Sequence, residues 1–400
     1  MPTSVARRRL AIFAFMLVFG VGMASWVVRT PAVRDLLSAS TAQMGLVLLG
    51  LSVGSMTGVL SSAAIVRGRG VRFTVTIGGL SFTSGVALVG LAANLSSAPG
   101  VFVGLALVGL GIGVSEIALN LEGAALEAVS GRSVLPALHG CFSLGTVIGA
   151  VAGIGLTAVD FPVLWQLLAV AALSLALLVT VIRSVPSGTG KIVPGTPGEP
   201  AAVRTGGPVW RQPRVLALGA IVLALALAEG SAMDWLPLLM VDGYGATATV
   251  GTIVFAGFAA AMTVGRFVGA PLLARFGNVA VLRASALVSA AGIAVVVVAD
   301  SAAMAGVAVA LWGLGAALGF PVTLSSAADS DDPTATVSAV ATAGYVAFLV
   351  GPPLLGFLGE HFGLRGAMIV VLVLVAAVSL LTGAARPRAT SAAEPVAEPA

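Results

Sequence analysis

Charge is what this chain lacks most. Only 9% of its 400 residues are Asp, Glu, Lys or Arg, against 58% hydrophobic, and the mean hydropathy is +1.09. A water-soluble domain carries roughly 25% charge because its surface must be wetted. The 20 basic and 16 acidic side chains here cannot coat a soluble particle of this length. Soluble enzymes and DNA-binding proteins are thereby excluded. Cysteine is almost absent: Cys141 stands alone, so no internal disulfide forms. The two histidines, His139 and His361, make no zinc site on their own, and no metal is expected. Lysine occurs once, at Lys191. Gly109-x-Gly111-x-Gly113 lies inside an apolar run with no strand before it, so it is no nucleotide loop. ATP-driven transport by this chain alone is ruled out.

What is present is apolar sequence in long, continuous runs such as 215–227, 281–299 and 367–381. They lack the in/out alternation of a transmembrane strand and read as lipid-embedded helices of about 20 residues each. The run Leu10–Val28 follows Arg7-Arg8-Arg9, but Trp26 and Arg29 stand where a signal cleavage site would lie. It reads as a retained span. Spans are expected at 10–30, 44–66, 73–93, 100–126, 137–159, 162–182, 215–240, 249–271, 280–299, 303–327, 336–358 and 364–384, numbered 1 to 12. Residues 1–182 then form one six-helix bundle and 215–385 a second. The Pro- and Gly-rich 183–214 reads as a solvated connector, and 386–400 as a disordered tail. With the N-terminus inside, sixteen of the twenty Arg and Lys fall in cytoplasmic segments. The other four are Arg29, Arg34, Arg266 and Arg365. The asymmetry requires an even number of crossings, with both termini cytoplasmic. A net charge of +4 and a pI near 10.2 reflect this bias and imply no nucleic acid.

The second half echoes the first. Ser25-Trp26 returns as Asp234-Trp235, Met56-Thr57 as Met262-Thr263, and Gly109-Leu110-Gly111 as Gly313-Leu314-Gly315. The Arg69-Gly70 turn returns as Arg275-Phe276-Gly277. Such a nearly constant offset implies parallel repeats, which place a substrate site at their interface near the midplane. The stripes Gly50-x3-Gly54-x3-Gly58 and Gly145-x3-Gly149-x3-Gly153 suit close helix approach.

The loop Arg67-Gly68-Arg69-Gly70-Val71-Arg72 and its counterpart Gly269–Gly277 resemble the signature loop of the major facilitator superfamily of secondary transporters. The 6 + 6 organisation matches over essentially the whole chain. Both loops depart from the usual pattern, since Arg67 and Ala274 stand where an acidic residue is expected. A basic turn is also what the positive-inside bias alone produces. The stretch Glu116-x3-Asn120-x-Glu122-x4-Glu127, followed by Leu138-His139-Gly140-Cys141-Phe142-Ser143-Leu144-Gly145, is similar to the bacterial fucose-permease-like branch, which contains sugar–proton symporters. The resemblance implies an all-α integral membrane protein of two six-helix bundles. It implies secondary transport of a small polar solute by alternating access, driven by an ion gradient, with protons expected, and needing no cofactor. It also implies Arg67, Arg69, Arg72 and Arg275 as a cytoplasmic gate, a central cavity lined by spans 1, 4, 7 and 10, the inner membrane as location, and function as a monomer. A membrane enzyme would need a His-rich motif or Ser/His pair at one face, and none is visible.

Within the spans, ionisable residues are costly and therefore point to function. Glu116, Asn120 and Glu127 fall within about 40° on one helical face, while Glu122 points roughly 120° away. Glu127, near the cytoplasmic mouth, also suits a plain solvated helix end. Span 7 carries Glu229 near its midpoint and Asp234 further out. Glu116, Glu229 and Asp234 are the expected proton-coupling carboxyls, because an apolar surrounding makes a carboxyl easier to protonate. Asp234 alternatively pairs with Arg29, and Arg266 needs an acid, either Glu229 or Asp234. Trp26, Arg29, Asn120, Trp235 and His139 are the expected substrate contacts. The two tryptophans suit either stacking on a solute ring or an interfacial belt. His139 either relays protons or bonds a carbonyl, and Tyr345 reads as packing. Proton-linked exporters usually carry Gly-Pro-x-x-Gly in the fifth span. Here Ala150 follows Gly149, and Gly351-Pro352-Pro353-x-x-Gly356 appears in span 11 instead. That favours symport over the alternative, an efflux antiporter for an amphipathic compound.

Overall fold

The computed structural model describes residues 4–131, 134–191 and 209–387. Most of the expected connector (192–208) and nearly all of the expected tail (388–400) lie outside the described residues. The described chain is helical, and ten of its helices are long and apolar enough to cross a membrane. Two of the ten exceed a single crossing. Ala248–Val298 runs 51 residues and Pro333–Val378 runs 46, about 77 and 69 Å of helix against some 30 Å of hydrocarbon. Each turns at one glycine with left-handed φ: Gly277 at 74° and Gly363 at 71°. A Cβ there would be strained. Divided at these glycines, the ten helices supply twelve spans.

Span 1 is Val5–Val27, span 2 Thr41–Arg69, span 3 Val71–Asn94, span 4 Ala98–Ser130, span 5 Leu135–Ala158 and span 6 Val163–Val181. In the second half, span 7 is Pro213–Tyr244 and spans 8 and 9 are 248–276 and 278–298. Span 10 covers Ala302–Ala316 and Gly319–Ala328, interrupted for two residues, and spans 11 and 12 are 333–362 and 364–378. The short helix Thr30–Leu37, between spans 1 and 2, was not anticipated. Polar caps explain the starts. Ser40 and Gln43 form a reciprocal capping box on span 2. Ser97, Thr247, Ser301 and Asp332 each accept a backbone N–H at the head of spans 4, 8, 10 and 11.

The two halves pack alike. Span 1 lies on span 5 and span 7 on span 11; span 4 lies on spans 2 and 3, as span 10 lies on 8 and 9. The turn glycines even share a conformation, Gly70 with φ 83° and ψ 168°, Gly277 with φ 74° and ψ 167°. The anticipated glycine stripes work as contact seams. Gly50, Gly54 and Gly58 press on span-4 carbonyls, and Gly145 and Gly149 on the backbone of span 1. Between halves, span 2 packs on span 11 and span 5 on span 8. Apolar side chains on the outer faces, such as Leu60, Phe267 and Val307, are 67–75% exposed, the arrangement of a surface solvated by lipid.

Candidate functional site

The halves meet over a pocket bounded by spans 5, 7 and 8 and lined by Phe142, Ser143, Thr146, Glu229, Met233, Met262, Thr263 and Arg266. At its centre Arg266, in span 8, reaches in two directions. Nη2 donates to Glu229 Oε1 of span 7 at 3.0 Å, and Nη1 donates to Ser143 Oγ of span 5 at 3.3 Å. A single guanidinium thus ties two spans of the second half and touches the first. Of the two acids expected as its partner, Glu229 is the one it binds. Glu116 of span 4 lies within electrostatic reach of Arg266, and Tyr345 of span 11 within reach of Glu116. His139 of span 5 is exposed and also feels Arg266. One turn beyond Glu116, Asn120 holds its Oδ1 hidden from solvent with no donor among the described residues. Of the expected proton-coupling acids, Glu229 binds Arg266 and Glu116 lies within its electrostatic reach; of the expected substrate contacts, His139 does so too. Asp234 is nine-tenths buried, and among the described residues it has no ion pair or hydrogen bond.

Three expected substrate contacts are placed elsewhere. Trp26, Trp235 and Arg29 are 2%, 0% and 4% exposed and do not line the pocket. Residues 22–31 of span 1 and its following turn, and residues 234–240 of span 7, are buried on every side. The tryptophans fill that enclosed end rather than a solute-facing wall. Arg29 donates from Nε to Gln166 Oε1 of span 6, so it is held inside the first half and not by Asp234. Glu122, set apart by its helical angle, is fully buried and takes both Nε and Nη2 of Arg8 on Oε1 at 2.8 and 2.7 Å. Glu127 accepts the N–H groups of Val134 and Leu135 and so caps the start of span 5.

The expected gate residues lie where the termini lie. Arg67 is exposed. Arg69 covers the Phe73 ring and Arg275 the Phe276 ring, at 5.0 and 5.2 Å. Arg72 donates to the carbonyls of Val185 and Arg183, pinning the start of the connector to the turn before span 3. These contacts all stay within one half. The opposite end is closed across the halves: Arg34 pairs with Asp242. The backbone N–H of Ala42 donates to Glu360 at 3.1 Å, and, about 15 Å further along span 2, Ser52 Oγ donates to the carbonyl of Phe348 at 2.7 Å. Sequence reasoning missed the pocket walls on spans 5 and 8. A signal did exist, because Met262-Thr263 was a repeated pair and Thr263 stands three residues before Arg266 on the same face.

The chain matches the Major Facilitator Superfamily over residues 137–345 and, in an overlapping match, 236–399. It is 28% identical over 387 residues, 96% of this chain and 94% of the other, to an uncharacterized MFS-type transporter of Yersinia pestis. Among solved structures it resembles a bacterial homologue of the human lysosomal transporter Spinster, in an inward-facing, unoccupied conformation. That likeness has a TM-score of 0.72 and 15% identity, covering 96% of this chain and 97% of that one. It also resembles the Escherichia coli fucose:proton symporter FucP, with a TM-score of 0.59 and 18% identity over 94% of this chain and all of that one.

Proposed function

The chain belongs to the major facilitator superfamily, and from that premise we propose that it is a proton-coupled symporter of a small polar solute. It sits in the inner membrane with both termini in the cytoplasm and works as a monomer, with no cofactor and no chemical conversion of the solute. The two halves rock about the pocket at Arg266, exposing it alternately to either side. One observation carries the reading: a guanidinium of the second half bonded to Glu229 and also to Ser143 of the first half, beneath an end that is already sealed. A polar site between two like-folded bundles, closed on one side, is the geometry alternating access requires. With termini inside, the sealed end faces outward and the pocket opens to the cytoplasm.

The proton rides on a carboxyl that no cation binds, Glu116 or Asp234, whereas Glu229 is held by Arg266. An intramembrane carboxyl that loses its proton must be compensated or hydrated. Release is therefore tied to opening of the crevice. The test uses liposomes carrying the purified chain and a pH-sensitive dye, challenged with sugars, organic acids and amines. A transported solute acidifies the lumen as it enters; alkalinisation marks the efflux antiporter instead. Substituting both Glu116→Gln and Asp234→Asn removes the proton signal, and a double variant that keeps it defeats the reading.

A further inference from the structure

Around Arg266 the carboxyls outnumber the cations: Glu229 lines the pocket with it, and Glu116 lies within electrostatic reach. Among the described residues, Arg266 is the only guanidinium lining the pocket, and both of its terminal nitrogens are engaged, by Glu229 and Ser143. Glu116 feels that guanidinium but is not bonded to it, and Asp234, one residue past the pocket-lining Met233, has no cation either. The remaining groups near Glu116 and Arg266 are neutral or weakly basic: the Tyr345 phenol, the Thr146 and Thr263 hydroxyls, and the His139 ring.

Consider three solutes of equal size. An anionic one is repelled by the unpaired Glu116 carboxyl and finds the guanidinium occupied. To bind it, Glu229 must be displaced and left as a charge in low dielectric, which is strongly unfavourable. A neutral polyol satisfies hydrogen bonds but leaves the charge excess untouched. A cationic one supplies the missing charge. An ammonium also brings three donors, and Asn120 Oδ1, one turn from Glu116 on the same face, is an acceptor that lacks one. The apolar part of the wall, Phe142, Met233 and Met262, is aromatic and thioether, surfaces that tolerate a cation's flank.

We propose that the solute carries a primary amine, protonated when bound, which docks on Glu116 while the transported proton rides on Asp234. The proposal deepens the transport reading above and rests on it. The test measures thermal stabilisation of the purified full chain by matched trios, an amine, an alcohol and an acid on one carbon frame. Glucosamine, glucose and glucuronate serve for a hexose, and ethanolamine, ethylene glycol and glycolate for a two-carbon frame. In at least one trio the amine binds about tenfold more tightly than its partners, as a compensated buried charge requires. Glu116→Gln abolishes that advantage and Asp234→Asn keeps it. Should Glu116→Gln fail to fold, Glu116→Asp, which keeps the charge but withdraws it, weakens the amine and spares the alcohol. The proposal is overturned if an alcohol or acid leads its trio, if no amine stabilises the chain, or if the amine preference survives Glu116→Gln. A chain that fails here yet moves protons with a sugar or acid in liposomes keeps the transport reading and loses this one. A chain that binds the amine and moves no protons does the reverse.

Discussion

The two ends of the molecule are held by different kinds of contact. At the end carrying the termini, the arginine partners lie within one half, and the crossing contact of spans 5 and 8, Gly140 against the Phe267 ring, sits further in. Arg8 binds Glu122, Arg72 holds the carbonyls of Val185 and Arg183, and Arg214 gathers the carbonyls of Ser326, Asp329, Ala384 and Arg386. At the opposite end the contacts cross between halves: Arg34 to Asp242, the Ala42 N–H to Glu360, and the Gly45 backbone against Pro352 and Gly356. The first set ties segments together within each half. Under the proposed rocking cycle, the second is what must part when the crevice opens the other way. Rigid bodies joined by breakable seals are what a rocking cycle needs.

That contrast can be broken from either side. The largest effect is expected at Glu122. Its carboxylate is fully buried against Arg8, and stranding one partner of such a pair costs about 3–5 kcal/mol. Glu122→Ala and Arg8→Ala should each lower the unfolding temperature of the detergent-solubilised chain markedly, while leaving the balance between open and sealed forms unchanged among folded molecules. Gly45→Leu comes next and should act differently. A Cβ at Gly45 would stand 2.7 Å from the Pro352 carbonyl and 3.0 Å from Gly356 Cα. Overpacking costs about 1–3 kcal/mol, here charged to the sealed form alone. That shifts the state ratio by about 5- to 150-fold. It should make a cysteine at buried Ser25 reactive to an impermeant maleimide, in a background with Cys141→Ala. The companion Gly54→Leu, whose Cβ would lie 1.9 Å from the Ala106 carbonyl inside the first half, should impair folding instead.

Smaller effects sharpen the same contrast. Asp242→Asn removes a partly exposed bridge, a class worth about 0.2–1 kcal/mol, and Arg34 keeps Asp35 as a second partner. Labelling of Ser25→Cys should rise by only about twofold. Glu360→Gln is expected to do least, since the amide still accepts from Ala42 and only the charge at the head of span 2 is lost. A Glu360→Gln effect larger than that of Gly45→Leu would show that charge, not close packing, makes the seal.

Much of this architecture was legible in the sequence, because membrane crossing is decided by run length and apolar content, which no tertiary contact overrides. The repeat was legible too, since Gly70 and Gly277 are required by the same backbone conformation. Glu116, Glu229 and Arg266 stood out because a charge in an apolar run has few bland explanations. The residues enclosed away from the pocket share a different cause. Trp26, Arg29 and Trp235 sit where spans 1 and 7 are enclosed on all sides, and helical periodicity cannot separate a cavity wall from a helix contact when no face is open. The partner of Arg29, Gln166, lies 137 residues away, a pairing no local pattern reveals. The two-residue interruption of span 10 and the helix at Thr30–Leu37 depend likewise on packing.

In the proposed cycle the ends open reciprocally about the Arg266 pocket. Distances between spin labels in lipid test it most directly, with one pair at Gln43 and His361 on the sealed end and another at Gly68 and Phe276 on the end of the termini, all four exposed. As solute and pH are varied, two populations are expected, one short at the first pair and long at the second, the other reversed. Distances that lengthen together at both ends, or a first pair that never separates while solute is being transported, would contradict it.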